Sequence, residues 1–142
     1  MPKIKIMIIN DSRAMRLFLE DMIKSYADCE IIGSYFDGNI ALDSLKFKKP
    51  DVIILDLEMP RMDGLTFLER LLDNEKFSTI IVSIYAKDSS ELVNDAMVLG
   101  AVDSLIPPSS NAKEEFEKFR NILHHKITKA SLASNKFSLR CS

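Results

Sequence analysis

Cysteine is scarce in this chain of 142 residues, with only Cys29 and Cys141 present. They form neither a disulfide framework nor a metal-binding spacing, so both are read as plain thiols of a reducing compartment. No apolar run reaches the roughly 18 residues that span a bilayer. A strand-like run begins almost at the first residue, and no signal peptide is evident. The net charge is -2, which argues against nucleic acid or an anionic membrane as the main partner. The expectation from these absences is a cytoplasmic protein.

What is present is an ordinary globular composition, with 46% apolar and 28% charged residues. The length suits one domain with a core that needs no disulfides. Five times along the chain a short apolar run is followed by a helical stretch. The runs are residues 4–9, 30–33, 52–55, 79–84 and 102–106. Three of them are β-branched and almost continuously apolar, as strands are when helices cover both faces of a parallel sheet. Between them, Met15, Phe18, Met22 and Tyr26 fall on one face of a first helix, and Ile40, Leu42 and Leu45 support a second. Leu65, Phe67, Leu68, Leu71 and Leu72 support a third after Asp63-Gly64. Leu92, Val93, Ala96 and Met97 support a fourth, closed by Gly100 as a C-cap. Phe116, Phe119, Leu123 and Ile127 support a fifth.

This alternation predicts a flavodoxin-like α/β fold: a doubly wound, five-stranded parallel sheet in the order 2-1-3-4-5. The domain is expected over residues 1–130, with 131–142 as a polar, frayed tail or linker remnant. In such sheets the functional site lies outside the carboxyl ends of the strands. There the sequence places Asn10-Asp11-Ser12 after the first strand, Asp56 after the third and Ser83 after the fourth. Two carboxylates brought together repel each other unless a cation joins them. Oxygen donors suit a hard ion such as Mg²⁺, which lets a carboxylate meet a phosphoryl group without excess negative charge. Taken singly, Asp11 and Ser12 read equally well as a helix cap.

Leu55-Asp56-Leu57-Glu58-Met59-Pro60-Arg61-Met62-Asp63-Gly64 resembles the phosphoacceptor loop of response-regulator receiver domains. Ile8 to Arg16 resembles the family's acidic pocket and first helix, and Leu99-Gly100-Ala101-Val102-Asp103 its approach to strand five. The resemblance covers residues 3 to about 125 and leans toward the receivers of chemotaxis methylesterases. It implies that Asp56 accepts a phosphoryl group from a histidine kinase. It implies a Mg²⁺ site at Asp11, Asp56 and the main-chain carbonyl of Glu58, with Asn10 acting through a water in place of a second acid. Ser83 takes the switch-hydroxyl position, and Met59-Pro60 and Gly64 shape the loop, Gly64 adding flexibility. Output passes to a downstream protein or separate effector. The face of helix four, strand five and helix five is the family's usual contact and dimerisation surface.

The chain departs from the family at several positions. A lysine that pairs with the phosphoryl group is replaced by Pro107, followed by Pro108, before which a cis bond is anticipated. The family's aromatic switch residue aligns with Ser104, and Ile84 stands where a small residue is preferred, narrowing access to Asp56. Lys87 is the nearest substitute cation by sequence, although a loop lysine is usually solvated. His124 and His125 read as solvated helix residues. These departures motivate a second reading, a degenerate receiver that docks or dimerises without phosphate. Enzyme readings fit poorly. An aspartyl phosphatase wants its second Asp two residues after the first, and a flavodoxin wants a Ser/Thr/Gly-rich loop after strand one.

Overall fold

The computed structural model describes residues 2–59, 62–72, 77–84, 91–109 and 112–141. Strands β1 (Ile4–Ile9), β2 (Cys29–Tyr35), β3 (Val52–Leu55), β4 (Ser78–Val82) and β5 (Asp103–Leu105) alternate with helices. The helices are α1 (Arg13–Lys24), α2 (Gly38–Ser44), α3 (Gly64–Leu72), α4 (Glu91–Val98) and α5 (Lys113–Cys141). The strands form one sheet in the order β2-β1-β3-β4-β5, and every pairing is parallel. This is the flavodoxin-like order that the alternation predicts.

Side chains alternate across the strands, so the sheet divides the core in two. Ile6, Ile8, Val52, Ile54, Ile80 and Val82 face one layer with Leu19, Ile23, Phe119, Leu123 and Ile127 of α1 and α5. Met7, Ile9, Ile53, Leu55 and Ile81 face the other with Ala41, Phe67, Leu68, Val93 and Ala96 of α2, α3 and α4. Burial on both faces explains why the central strands lack polar alternation.

Polar side chains set the helix starts. Ser12 Oγ accepts from the Met15 amide at 3.2 Å, Asp37 Oδ1 from the Asn39 amide at 2.7 Å and Asp63 Oδ1 from the Thr66 amide at 2.8 Å. Gly100 closes α4 with a φ of 111°. Its amide donates to the Met97 carbonyl, and the Ala101 amide to the Ala96 carbonyl, at 3.1 and 3.0 Å. That pair of bonds is the Schellman closure.

The structure corrects several expectations. Ile40 and Met97 do not join the core; they are exposed, and Ala41 fills the inward position of α2 instead. There is no cis peptide bond among the described residues, so the bond before Pro108 is trans. The last helix runs to Cys141, through the segment read as a frayed tail. Pro60 and Lys87 lie outside the described residues.

Candidate functional site

The parallel order brings the carboxyl ends of β1 and β3 side by side, with Ile9 paired to Leu55. Asp56 follows β3 directly, and Asp11 stands two residues past β1, after Asn10. The Asp56 amide is tied to the Ile9 carbonyl at 3.0 Å, which fixes where its side chain starts. Asp56 is half-buried and Asp11 exposed. Ser83, just past β4, is buried, and its hydroxyl hydrogen-bonds the Asp56 carboxylate. The Glu58 amide points to Asp56 Oδ1 at a long 3.4 Å. Three residues foreseen at strand ends, Asp11, Asp56 and Ser83, therefore share one site.

Burial pushes the Asp56 carboxyl above its ordinary range, chiefly by stripping water from the charged form. The Glu58 amide and the Ser83 hydroxyl oppose that rise, while the negative charges of Asp11 and Glu58 add to it. A cation between the carboxylates would remove the repulsive part. The donors at hand are carboxylate and carbonyl oxygens, which match a hard divalent ion such as Mg²⁺. A cleft of about 480 Å³ opens beside them, lined by Asp11, Leu57, Glu58, Met59, Asp63 and Leu65, among others.

Asn10 is buried, and its Oδ1 accepts from the Ser12 amide at 2.9 Å. Its carbonyl accepts from Arg16 Nη1 at 2.7 Å. The side chain thus shapes the turn into α1 directly, in keeping with the capping alternative for this segment.

Gly64 has a steric role in shaping the loop. Its amide donates to the Leu57 carbonyl at 2.9 Å. A Cβ there would lie 2.7 Å from the Asp56 carbonyl oxygen and 2.7 Å from Leu57 Cα. Only a glycine lets the start of α3 press on the loop that carries Asp56. Asp63 is the cap of α3, and its place just before Gly64, three residues ahead of Thr66, is the helix-start signal that marks it.

At the end of β5, Pro107 is buried where the resemblance calls for a lysine, and Ser104 is part-buried where it calls for an aromatic ring. Ile84 is 62% exposed, its bulk standing in solvent.

Residues 6–115 match the response regulator receiver domain family. The chain belongs to this family. It is 42% identical over 111 residues to a protein-glutamate methylesterase/protein-glutamine glutaminase of Syntrophus aciditrophicus, covering 78% of this chain and 32% of that protein. Against the Escherichia coli K12 protein of the same description, identity is 36% over 139 residues, covering 96% and 40% of the two chains. The response regulator domain of Thermotoga maritima CheB superposes with a TM-score of 0.82 at 30% identity, covering 91% of this chain and 96% of that one. The chain spans about a third of the length of the curated relatives it matches. The receiver is therefore the part of the methylesterases to which it is similar.

Proposed function

We propose that this receiver takes a phosphoryl group on Asp56 from a histidine kinase in the cytoplasm and signals through a separate protein, in a chemotaxis setting. The observation that carries the reading is the convergence of Asp56, Asp11 and the Ser83 hydroxyl at neighbouring strand ends. In the transfer, an Asp56 carboxylate oxygen forms the new bond to phosphorus. The phosphorus–nitrogen bond to the kinase histidine breaks, and the imidazole leaves with its electron pair. Asp11, Asp56 and the Glu58 carbonyl would hold Mg²⁺, with Asn10 touching its water shell. When bound, the ion neutralises charge between carboxylates and phosphoryl oxygens. The Ser83 hydroxyl, now on the carboxylate, is placed to follow a phosphoryl oxygen, and the Glu58 amide offers a second donor.

The test is intact mass after incubation with acetyl phosphate and Mg²⁺. A gain of one phosphoryl group that Asp56→Asn abolishes supports the reading; an unmodified, folded protein removes its core. Methylester hydrolysis is not assigned to these residues, because the similarity lies in the receiver third of the methylesterases.

A second reading is a phosphate-independent docking or dimerisation module, through α4, β5 and α5. Buried Pro107 in place of the lysine favours it, because no cation from β5 then answers the phosphoryl charge. A dimer constant unchanged by phosphodonor and by Asp56→Asn would select this reading.

A further inference from the structure

The opposite end of the sheet carries a second group of chemically active side chains. Cys29 opens β2 and pairs with Ile4 at the start of β1. It therefore lies at the amino ends of the strands, roughly 16 Å along the strand direction from the Asp11–Asp56 site. Asp28 precedes it in the chain, and His124 arrives from α5, 96 positions away from Asp28. His124 Nε2 is 2.8 Å from Asp28 Oδ1, and Cys29 Sγ is 3.4 Å from the same oxygen. The three donor atoms all fall within 4.8 Å of one another. His124 is thus part-exposed, as a helix residue facing solvent would be, but it is also paired with Asp28, while His125 is exposed as foreseen.

The imidazole is held in place. It stacks on the Tyr26 ring at a centroid separation of 4.5 Å and an angle of 27°. Tyr26 in turn donates its hydroxyl to the Arg120 carbonyl at 2.6 Å. Cys29 forms the buried floor of the group, and the part-exposed side chains of Asp28 and His124 form its rim. One thiol, one imidazole and one carboxylate make a mixed S, N, O set that suits zinc better than a hard ion. Zinc bonds of about 2.0–2.3 Å place tetrahedral ligand atoms roughly 3.3–3.8 Å apart. The Cys29–Asp28 edge of 3.4 Å already matches this spacing, the His124–Asp28 edge of 2.8 Å would open, and the Cys29–His124 edge lies within 4.8 Å. The rim leaves solvent access for a fourth ligand. The one opposing charge among these contacts is Arg120, whose guanidinium sits 5.3 Å above the Tyr26 ring and turns toward Ser25.

We propose that Asp28, Cys29 and His124 form a zinc site, completed by water, that staples α5 to the first residue of β2. Without the ion, the same atoms form a hydrogen-bonded group in which the thiol donates to Asp28. On binding, the sulfur releases its proton to solvent. The thiolate, the imidazole Nε2 and the Asp28 oxygen then each donate an electron pair to the ion.

The test is titration of the full chain with Co²⁺ as a spectroscopic probe, in a Cys141→Ser background so that Cys29 is the sole thiol. A thiolate-to-cobalt charge-transfer band is expected, displaced by Zn²⁺, with Zn²⁺ also raising the melting temperature. Both effects should be lost in Cys29→Ser and in His124→Gln and kept in His125→Gln and Asp56→Asn. Absence of the band, or its persistence in His124→Gln, would overturn the proposal. If Cys29→Ser does not fold, His124→Gln decides the matter, because it alters a part-exposed residue of α5.

Discussion

Gly64 and Asp56 are in backbone contact: a methyl group added to Gly64 would stand 2.7 Å from the Asp56 carbonyl oxygen. The start of α3 thus presses directly on the loop that carries the candidate phosphoacceptor. Because the nearest atoms are backbone, neither side can step aside cheaply. Gly64→Ala should cost about 1–3 kcal/mol of stability, as overpacking does. It should also slow phosphoryl uptake by displacing Asp56. Urea unfolding and intact mass against time with acetyl phosphate measure the two effects, and a fully native uptake rate would show that the loop tolerates the shift.

The Ser83 hydroxyl shares the site through its bond to the Asp56 carboxylate. A hydrogen bond to a charged group is worth about 1.5–3 kcal/mol, so Ser83→Ala should reduce acyl-phosphate accumulation by roughly tenfold to a hundredfold. It should also move the Asp56 carboxyl further above its usual range. Titrating Asp56 by NMR in both proteins would read this shift directly, and unchanged titration would deny the hydroxyl its role.

Asp56 predicts a pH signature. Its carboxyl is raised in the folded state, mainly by burial, so the native protein holds this proton more tightly than the unfolded chain. The stabilising contribution is complete below the ordinary carboxylate range and is lost as pH rises through the raised folded value. At neutral pH the ionised group works against the fold. Asp56→Asn should therefore raise the melting temperature near neutrality, with the advantage shrinking as the solution is acidified. Melting curves across pH, without divalent ions, check the sign; an Asn variant less stable at neutral pH would contradict it.

Pro107 occupies a buried position at the end of β5, where a lysine would reach a phosphoryl group. Pro107→Lys should destabilise the unphosphorylated protein, since burying part of an ammonium carries a desolvation cost that the Asp56 carboxylate offsets only in part. Phosphorylation should then return about 1.5–3 kcal/mol through the charge-assisted contact. Denaturation with and without acetyl phosphate gives both terms, and a variant whose stability ignores the phosphodonor would place the ammonium out of reach.

Much of this protein was legible along the chain. Almost continuously apolar runs at 52–55 and 79–84 announced strands covered on both faces, and β3 and most of β4 lie there with all their residues buried. Gly100 at the end of an amphipathic stretch announced the closure of α4. Once the strand order followed from the alternation, Asp11, Asp56 and Ser83 had to meet, because all three sit within two residues of carboxyl ends. Local rules reach this far because each feature depends on a few neighbouring residues.

Contacts between distant segments were decided only by the fold. Nothing around Asp28 or Cys29 indicates that His124, 96 positions on, will stack over Tyr26 and reach the same carboxylate. Nothing local shows that Gly64 is needed for space, since the obstructing atoms belong to Asp56 and Leu57 across the loop. Ile40 fits a helical period yet faces solvent, because α2 turns Ala41 inward instead. Periodicity and capping are properties of short segments and survive in the sequence; close approach, burial and the pairing of remote side chains arise only when the layers pack.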